Sequence, residues 1–208
     1  KNMNIFVTGA SGLVGSELCP KLSQLNYKVT KLNRESKSLQ PHSPEWNIDL
    51  KKNNQKISAD AYIHLAGENI AAKRWSKKQK NTIYESRIRG TKNLVDQIVN
   101  SPVKPKTFIC ASAIGYYGDR GVELLDENSA PGQDFVSKVC YDWEQTTKPL
   151  QDMGIRVINL RFGVILSKNG GALKKMLTPF KFGLGGMIGS GQQKFSWVSI
   201  EDVINAII

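Results

Sequence analysis

The chain has 208 residues, 40% apolar and 23% charged, enough for one sizeable hydrophobic core in a soluble globular protein. No apolar run approaches the roughly 20 residues needed to span a bilayer, so no membrane association is expected. Its 29 lysines and arginines against 18 acids give a formal charge of +11, but the lysines are scattered and no basic run alternates with aromatics, so no specific nucleic-acid binding is expected.

Short β-rich runs alternate with longer helical patterns along the chain. Asn4-Ile5-Phe6-Val7-Thr8 is the first expected strand, and Leu13, Val14, Leu18, Leu22 and Leu25 then recur at helical spacing. Lys28 to Leu32 is the second strand. The polar stretch 35–55 contains two prolines and one weak strand near Trp46-Asn47-Ile48. Ala61 to Ala66 and Thr107 to Ala111 are further strands, separated by a long helix from Ser76 to Asn100 whose Ile83, Ile88, Leu94, Val95 and Ile98 face inward. Asp134 to Met153 reads as one helix closed by Gly154, followed by a strand from Ile155 to Leu160. From Gly163 to Gly191 the glycine-rich sequence predicts loops around one helix, Ala172 to Phe182, with a last helix beginning near Ile200.

This alternation predicts an α/β fold: a doubly wound parallel sheet of Rossmann type with helices on both faces. Residues 1–162 are expected to form the nucleotide-binding domain. Residues 163–208 are expected to form a substrate-side segment and the start of a C-terminal region, which stops inside a helix as a truncated chain would. The chain enters a strand almost at once, without a signal peptide, and Cys19, Cys110 and Cys140 are odd in number and fit no zinc spacing. Reduced, buried thiols in a cytoplasmic protein without a metal site are expected.

Thr8-Gly9-Ala10-Ser11-Gly12-Leu13-Val14-Gly15 links the first strand to the first helix. Gly9 permits a sharp turn, Gly12 lets a pyrophosphate approach the backbone, and Gly15 allows close packing. The backbone at Gly9, Ser11, Gly12, Leu13, Val14 and Gly15 is therefore the expected phosphate cradle, helped by the helix dipole. The second strand ends Leu32-Asn33-Arg34, where NAD sites usually place a carboxylate on the ribose 2′-hydroxyl. Asn33 and Arg34 instead suit a 2′-phosphate, which favours NADP(H) over NAD(H), although Glu35 follows immediately.

The glycine motif resembles the extended branch of the short-chain dehydrogenase/reductase superfamily. Further segments narrow the likeness: His64-Leu65-Ala66-Gly67-Glu68-Asn69-Ile70, Ser86-Arg87, Ser112-Ala113-Ile114-Gly115-Tyr116-Tyr117-Gly118-Asp119, Asp142-Trp143-Glu144, Leu160-Arg161-Phe162-Gly163-Val164 and Ser196-Trp197-Val198-Ser199. Together they resemble an atypical NAD-dependent epimerase/dehydratase group of the YfcH type, whose reaction is not firmly assigned. The resemblance implies that Leu65, Ala66 and Gly67 pass under the adenosine or ribose and that Arg87 reaches the cofactor. It also implies that Val164 lies near the nicotinamide end and that Asp49-Leu50 lies near adenine; Ala111 is a further expected cofactor contact, and Glu68 a candidate for the nicotinamide ribose or the substrate.

Reductases and epimerases of that superfamily use a Tyr-x-x-x-Lys pair, in which the ammonium eases ionisation of the phenol. Counting back from Trp143-Glu144 puts Val136 and Cys140 at about those positions, and aligning Tyr117-Gly118 with the family's Tyr-Gly puts Ala113 at the usual Ser/Thr site. The one literal match, Tyr27 to Lys31, lies at the second strand and is assigned to chance. Ser112, Tyr116 and Tyr117 remain as candidate catalytic groups, with Glu68 and Lys138 behind them. Tyr117 is expected to lack an adjacent cation and Lys138 to be exposed. Two functions stand: an NADP(H)-dependent oxidoreductase or sugar-epimerase-like enzyme on a small carbonyl or sugar-like substrate, or a non-catalytic NADP(H)-binding redox sensor or regulator. A small-molecule substrate is the expected partner, and a homodimer the candidate assembly.

Overall fold

A computed structural model describes residues 3–33, 46, 51–52, 55–56, 58–71, 73–187 and 189–208. The described elements run β1 (Asn4–Thr8), α1 (Leu13–Gln24), β2 (Lys28–Leu32), β3 (Lys51–Lys52), β4 (Gln55–Lys56), β5 (Ala61–His64), α2 (Lys77–Asn100) and β6 (Thr107–Ala113), then a 3₁₀ turn over Ile114–Tyr117. They continue with α3 (Phe135–Gln145), α4 (Lys148–Asp152), β7 (Arg156–Phe162), β8 (Val164–Ser167), α5 (Gly171–Lys181), β9 (Trp197–Ser199) and α6 (Ile200–Ile207). Five strands form one parallel sheet in the order β2-β1-β5-β6-β7. The fold is the expected doubly wound, Rossmann-like one.

Successive strand residues point to opposite faces, so β1 feeds two cores. Phe6 joins Tyr62, Phe108, Leu94, Ile98, Trp143 and Leu150 under α2, α3 and α4. Ile5 and Val7 join Leu18, Leu22, Ile63 and Ile109 under α1, together with Ile200, Val203, Ile204 and Ile207 of α6. The last helix of the 163–208 segment thus packs into the core of the five-stranded sheet.

Three local expectations change. The single helix from Asp134 to Met153 is two helices, because Pro149 has no N–H to offer the Gln145 carbonyl and its ring would crowd it. Thr146 and Thr147 hydroxyls take up the carbonyls of Trp143 and Glu144 at 2.6 and 2.7 Å, and Gly154 ends the second helix at φ +77°. The segment after Gly163 is more than loops around a helix, since β8 and β9 pair in parallel on either side of α5. Of the weak strand at Trp46-Asn47-Ile48 only Trp46, which is buried, is among the described residues.

Candidate functional site

β1 lies between β2 and β5, so the chain leaves it in opposite directions on successive crossings. Open α/β sheets bind ligands at the carboxyl ends of strands at such a switch point. There the loop after Thr8 turns at Gly9, φ +69°, where a Cβ would stand 2.7 Å from the Leu65 carbonyl carbon. A Cβ on Gly15 would stand 2.2 Å from the Gly9 carbonyl oxygen, so this glycine brings the first helical turn onto its own entry loop. That refines its expected role in packing helix against strand. Gly12 N–H closes the turn on Gly9 O at 3.0 Å. Among the described residues no side chain caps the start of α1, and no acid occupies its first turn, which leaves its early N–H groups open to an anion.

Two clefts open from this loop. One, of about 410 Å³, is lined by Gly9, Ala10, Ser11, Gly12, Lys31, Leu32, Asn33, Trp46, Leu65, Ala66, Gly67, Glu68 and Ser86. The other, of about 490 Å³, shares Gly9, Gly12, Leu65, Gly67 and Glu68 with it and continues past Leu13, Val14, Gly15, Arg87, Ala111, Ser112, Ala113, Val136, Cys140, Trp143, Gly163 and Ile165. The expected cradle residues, Asn33, the Leu65–Glu68 run, Arg87 and Ala111 therefore share one region. Val164 is not in the wall, which its neighbours Gly163 and Ile165 supply. Arg34, Asp49 and Leu50 lie outside the described residues. Lys31, Trp46 and Ser86 were not among the expected contacts: Lys31 was legible as the last cation before Asn33 and Ser86 as the neighbour of Arg87, whereas Trp46 arrives only through tertiary packing.

Arg87 sits on α2 beneath Gly67. Its guanidinium donates to Glu68 O at 3.0 Å and Ile83 O at 3.2 Å and lies 5.1 Å from the Trp143 ring centre. Burial lowers its pKa from the usual arginine value, and among the described residues it makes no ion-pair contact with a carboxylate. A largely buried cation held by carbonyls, beside an uncapped helix start and a cradle that a Cβ would fill, fits a diphosphate.

The positions of the missing Tyr-Lys pair face this region, with different chemistry. Val136 and Cys140 line the second cleft from α3, and burial, partly opposed by Arg87, pushes the Cys140 thiol up to about 11. Ser112, Tyr116 and Tyr117 instead converge on an ion pair that the sequence reading did not single out. Ser112 Oγ donates to Glu144 Oε1 at 2.6 Å. Arg161 grips both carboxylate oxygens at 2.8 Å, donates to Tyr117 Oη at 3.0 Å, and stacks 3.5 Å from the Tyr116 ring centre. Tyr117 therefore does have an adjacent cation, contrary to expectation. It is brought there because β6 and β7 pair Ser112 with Arg161, a register invisible in sequence. Neither tyrosine lines the two clefts, and the Ser112 proton is committed to Glu144. Lys138 is exposed as expected and pairs with Asp142 at 2.7 Å. Tyr27 lines neither cleft.

His64 is wholly buried between Thr8 Oγ1 at 2.7 Å and Thr91 Oγ1 at 2.9 Å. Burial pulls its pKa down from 6.5 to about 3. The unfolded chain binds this proton below about pH 6.5 and the folded chain does not, so stability is full above 6.5 and is lost as pH falls towards 3. Between pH 7.5 and 5 the loss from this group should be about 2 kcal/mol. Urea unfolding at both pH values should show it in the wild type and not in His64→Gln. Equal pH slopes would remove the assignment.

Among the described residues no group of His, Cys, Asp and Glu could hold a metal, and no helix is long and apolar enough to cross a membrane. Comparison with known proteins then places the chain. The family model described as NAD dependent epimerase/dehydratase family matches residues 5–208. The chain is 37% identical to epimerase family protein Mb2239 of Mycobacterium bovis, over 99% of this chain and 68% of that protein. It is 38% identical to the chloroplastic SDR39U1 homolog of Arabidopsis thaliana, over 99% of this chain and 61% of that one. Among solved structures, the human epimerase family protein SDR39U1 (isoform 2), crystallised with NADPH, superposes with a TM-score of 0.84 at 31% identity, covering 99% of this chain and 68% of that one. The nucleoside-diphosphate sugar epimerase of Corynebacterium glutamicum superposes at 0.80 with 37% identity, covering all of this chain and 43% of that one. The chain thus spans between 43% and 68% of the lengths of these relatives. On the family match and these identities, it belongs to the NAD dependent epimerase/dehydratase family.

Proposed function

We propose that the chain holds NADP(H) across the two clefts and serves an oxidoreductase- or sugar-epimerase-like reaction on a small carbonyl or sugar-like substrate. The observation that carries this is the uncapped, acid-free start of α1, drawn by Gly9 and Gly15 into a cradle at the wall common to both clefts. Backbone N–H groups of Leu13, Val14 and Gly15 would hold the diphosphate, with Arg87 adding charge. Asn33, Lys31 and Trp46 would border the adenosine half, and Val136, Cys140 and Trp143 the other half. A nicotinamide supplies hydride transfer when bound. The chain's own part is to orient that ring and cover it with apolar side chains, while proton delivery falls to water or the substrate. The NADPH in the human relative and the guanidinium that follows Asn33 support the 2′-phosphorylated cofactor.

The second reading, a non-catalytic NADP(H)-binding redox sensor, draws on Val136, Cys140 and Ala113 at the places where the superfamily keeps its proton-transfer groups. Calorimetric titration at modest salt tests what both share: NADPH should bind more tightly than NADH. Arg34→Ala should weaken NADPH by roughly 10- to 100-fold, the worth of a charged hydrogen-bond pair, with little change for NADH. Equal losses would remove Arg34 from the 2′-phosphate, and binding of neither nucleotide would remove the proposal. Steady oxidation of NADPH across a panel of carbonyl substrates selects the enzyme, and tight binding without turnover selects the sensor.

A further inference from the structure

Beneath the clefts runs a line of buried hydrogen bonds. Ala66 N–H donates to Thr8 Oγ1 at 3.3 Å, Thr8 Oγ1 meets His64 Nδ1 at 2.7 Å, His64 Nε2 meets Thr91 Oγ1 at 2.9 Å, and Trp143 Nε1–H donates to Thr91 Oγ1 at 2.8 Å. Thr8, His64 and Thr91 are each 1% exposed or less, so water does not replace a bond that lengthens. The two ends lie in different walls. Ala66 lines the first cleft and not the second, and Trp143 lines the second and not the first. Another connection arrives at the same point. Trp46, in the wall of the first cleft, donates Nε1–H to Gly90 O at 2.8 Å and sets its ring edge-on to His64 at 5.7 Å. Trp46 of the first cleft and Trp143 of the second are thus held by consecutive residues of α2, Gly90 and Thr91.

The directions of these bonds restrict what the line can do. The N–H groups of Ala66 and Trp143 can only donate, so each threonine oxygen accepts from its own end. Neutral His64 has one N–H and one lone pair, so it donates to one threonine and accepts from the other. A displacement at either end must be answered along the line or leave a buried polar group without its partner, at a cost that rises in the low dielectric of the interior.

We propose that Thr8, His64 and Thr91 are positioning residues that couple the two halves of the site: a ligand seated against Ala66 and Trp46 fixes Trp143 and so raises the affinity of the second cleft for a nicotinamide ring. This rests on the dinucleotide reading above. The test uses two separate fragments, adenosine 2′,5′-bisphosphate for the first cleft and neutral nicotinamide for the second, titrated alone and together by NMR. In the wild type, nicotinamide should bind about three- to tenfold more tightly once the first cleft is filled, and the adenosine fragment should gain by the same factor when nicotinamide is present. Thr91→Val, which lines neither cleft, should bring that factor to about one, and Thr91→Ser should restore it. A purely structural Thr91 would lower stability and leave the factor unchanged. Should Thr91→Val fail to fold, Trp143→Phe deletes the end donor and should remove the factor in the same way. A wild-type factor of one, or a factor unaltered in the folded Val or Phe variant, overturns the coupling. Binding of neither fragment nor NADPH by the wild type overturns the dinucleotide reading, and the coupling with it.

Discussion

Glu144→Gln is expected to cost about 3 kcal/mol of folding stability, because it strands the Arg161 guanidinium in a largely buried place. The two side chains are 10% and 17% exposed, too little for solvent to take over the charge. The carboxylate accepts both forks of the guanidinium and the Ser112 proton, so its loss loosens β6, β7 and α3 together. Removing Arg161 as well, in Glu144→Gln with Arg161→Met, should cost clearly less than the sum of the single changes, since neither charge is then left alone. Urea unfolding measures both. A single-variant loss below about 0.5 kcal/mol would mean that the pair behaves as an ordinary exposed one.

Gly15→Ala should damage both fold and ligand binding. The added methyl would meet the Gly9 carbonyl oxygen at 2.2 Å and the Ala10 Cα at 2.7 Å, and backbone atoms cannot swing aside as a side-chain tip can. The first turn of α1 must move off its entry loop, at about 1–3 kcal/mol. The N–H groups aimed at the diphosphate move with it, so NADPH affinity should fall at least tenfold, about 1.4 kcal/mol or more. Gly12→Ala is the informative contrast. Its methyl would lie 3.2 Å from the nearest atom, the Gly9 oxygen, which a shift of a few tenths of an ångström relieves, so stability should fall less than in Gly15→Ala while the approach of a phosphate is obstructed. Thermal unfolding and NADPH titration of the two variants separate the roles. A larger loss of stability in Gly12→Ala than in Gly15→Ala would reverse the assignments.

The strands and the cradle were legible in the sequence because each is a local pattern: β-rich runs, helical spacing, and glycines at fixed offsets. Counting along one helix from Trp143-Glu144 led to Val136 and Cys140, and both line the second cleft. What escaped depends on pairing between distant strands. Arg161 reaches Ser112 and Tyr117 only through the β6–β7 register, so the sequence could name the three hydroxyl-bearing candidates and not the ion pair that binds them. The break between α3 and α4 falls just ahead of Pro149 in the sequence, inside the stretch that otherwise reads as one helix. The paired β8 and β9 are four and three residues long and lie in a glycine-rich stretch, below the length at which alternation shows.

The docking of α6 against α1 has a practical corollary for anyone dividing this protein. A cut after residue 162, where the glycine-rich stretch invites one, would take away Ile200, Val203, Ile204 and Ile207 and expose Leu18, Leu22 and the Val7 side of the sheet to solvent. Each large side chain so uncovered forfeits about 1.5–3 kcal/mol of hydrophobic stabilisation. A few of them together rival the entire net stability of an ordinary domain. The smallest independently folding piece of this fold therefore has to carry its α6 with it.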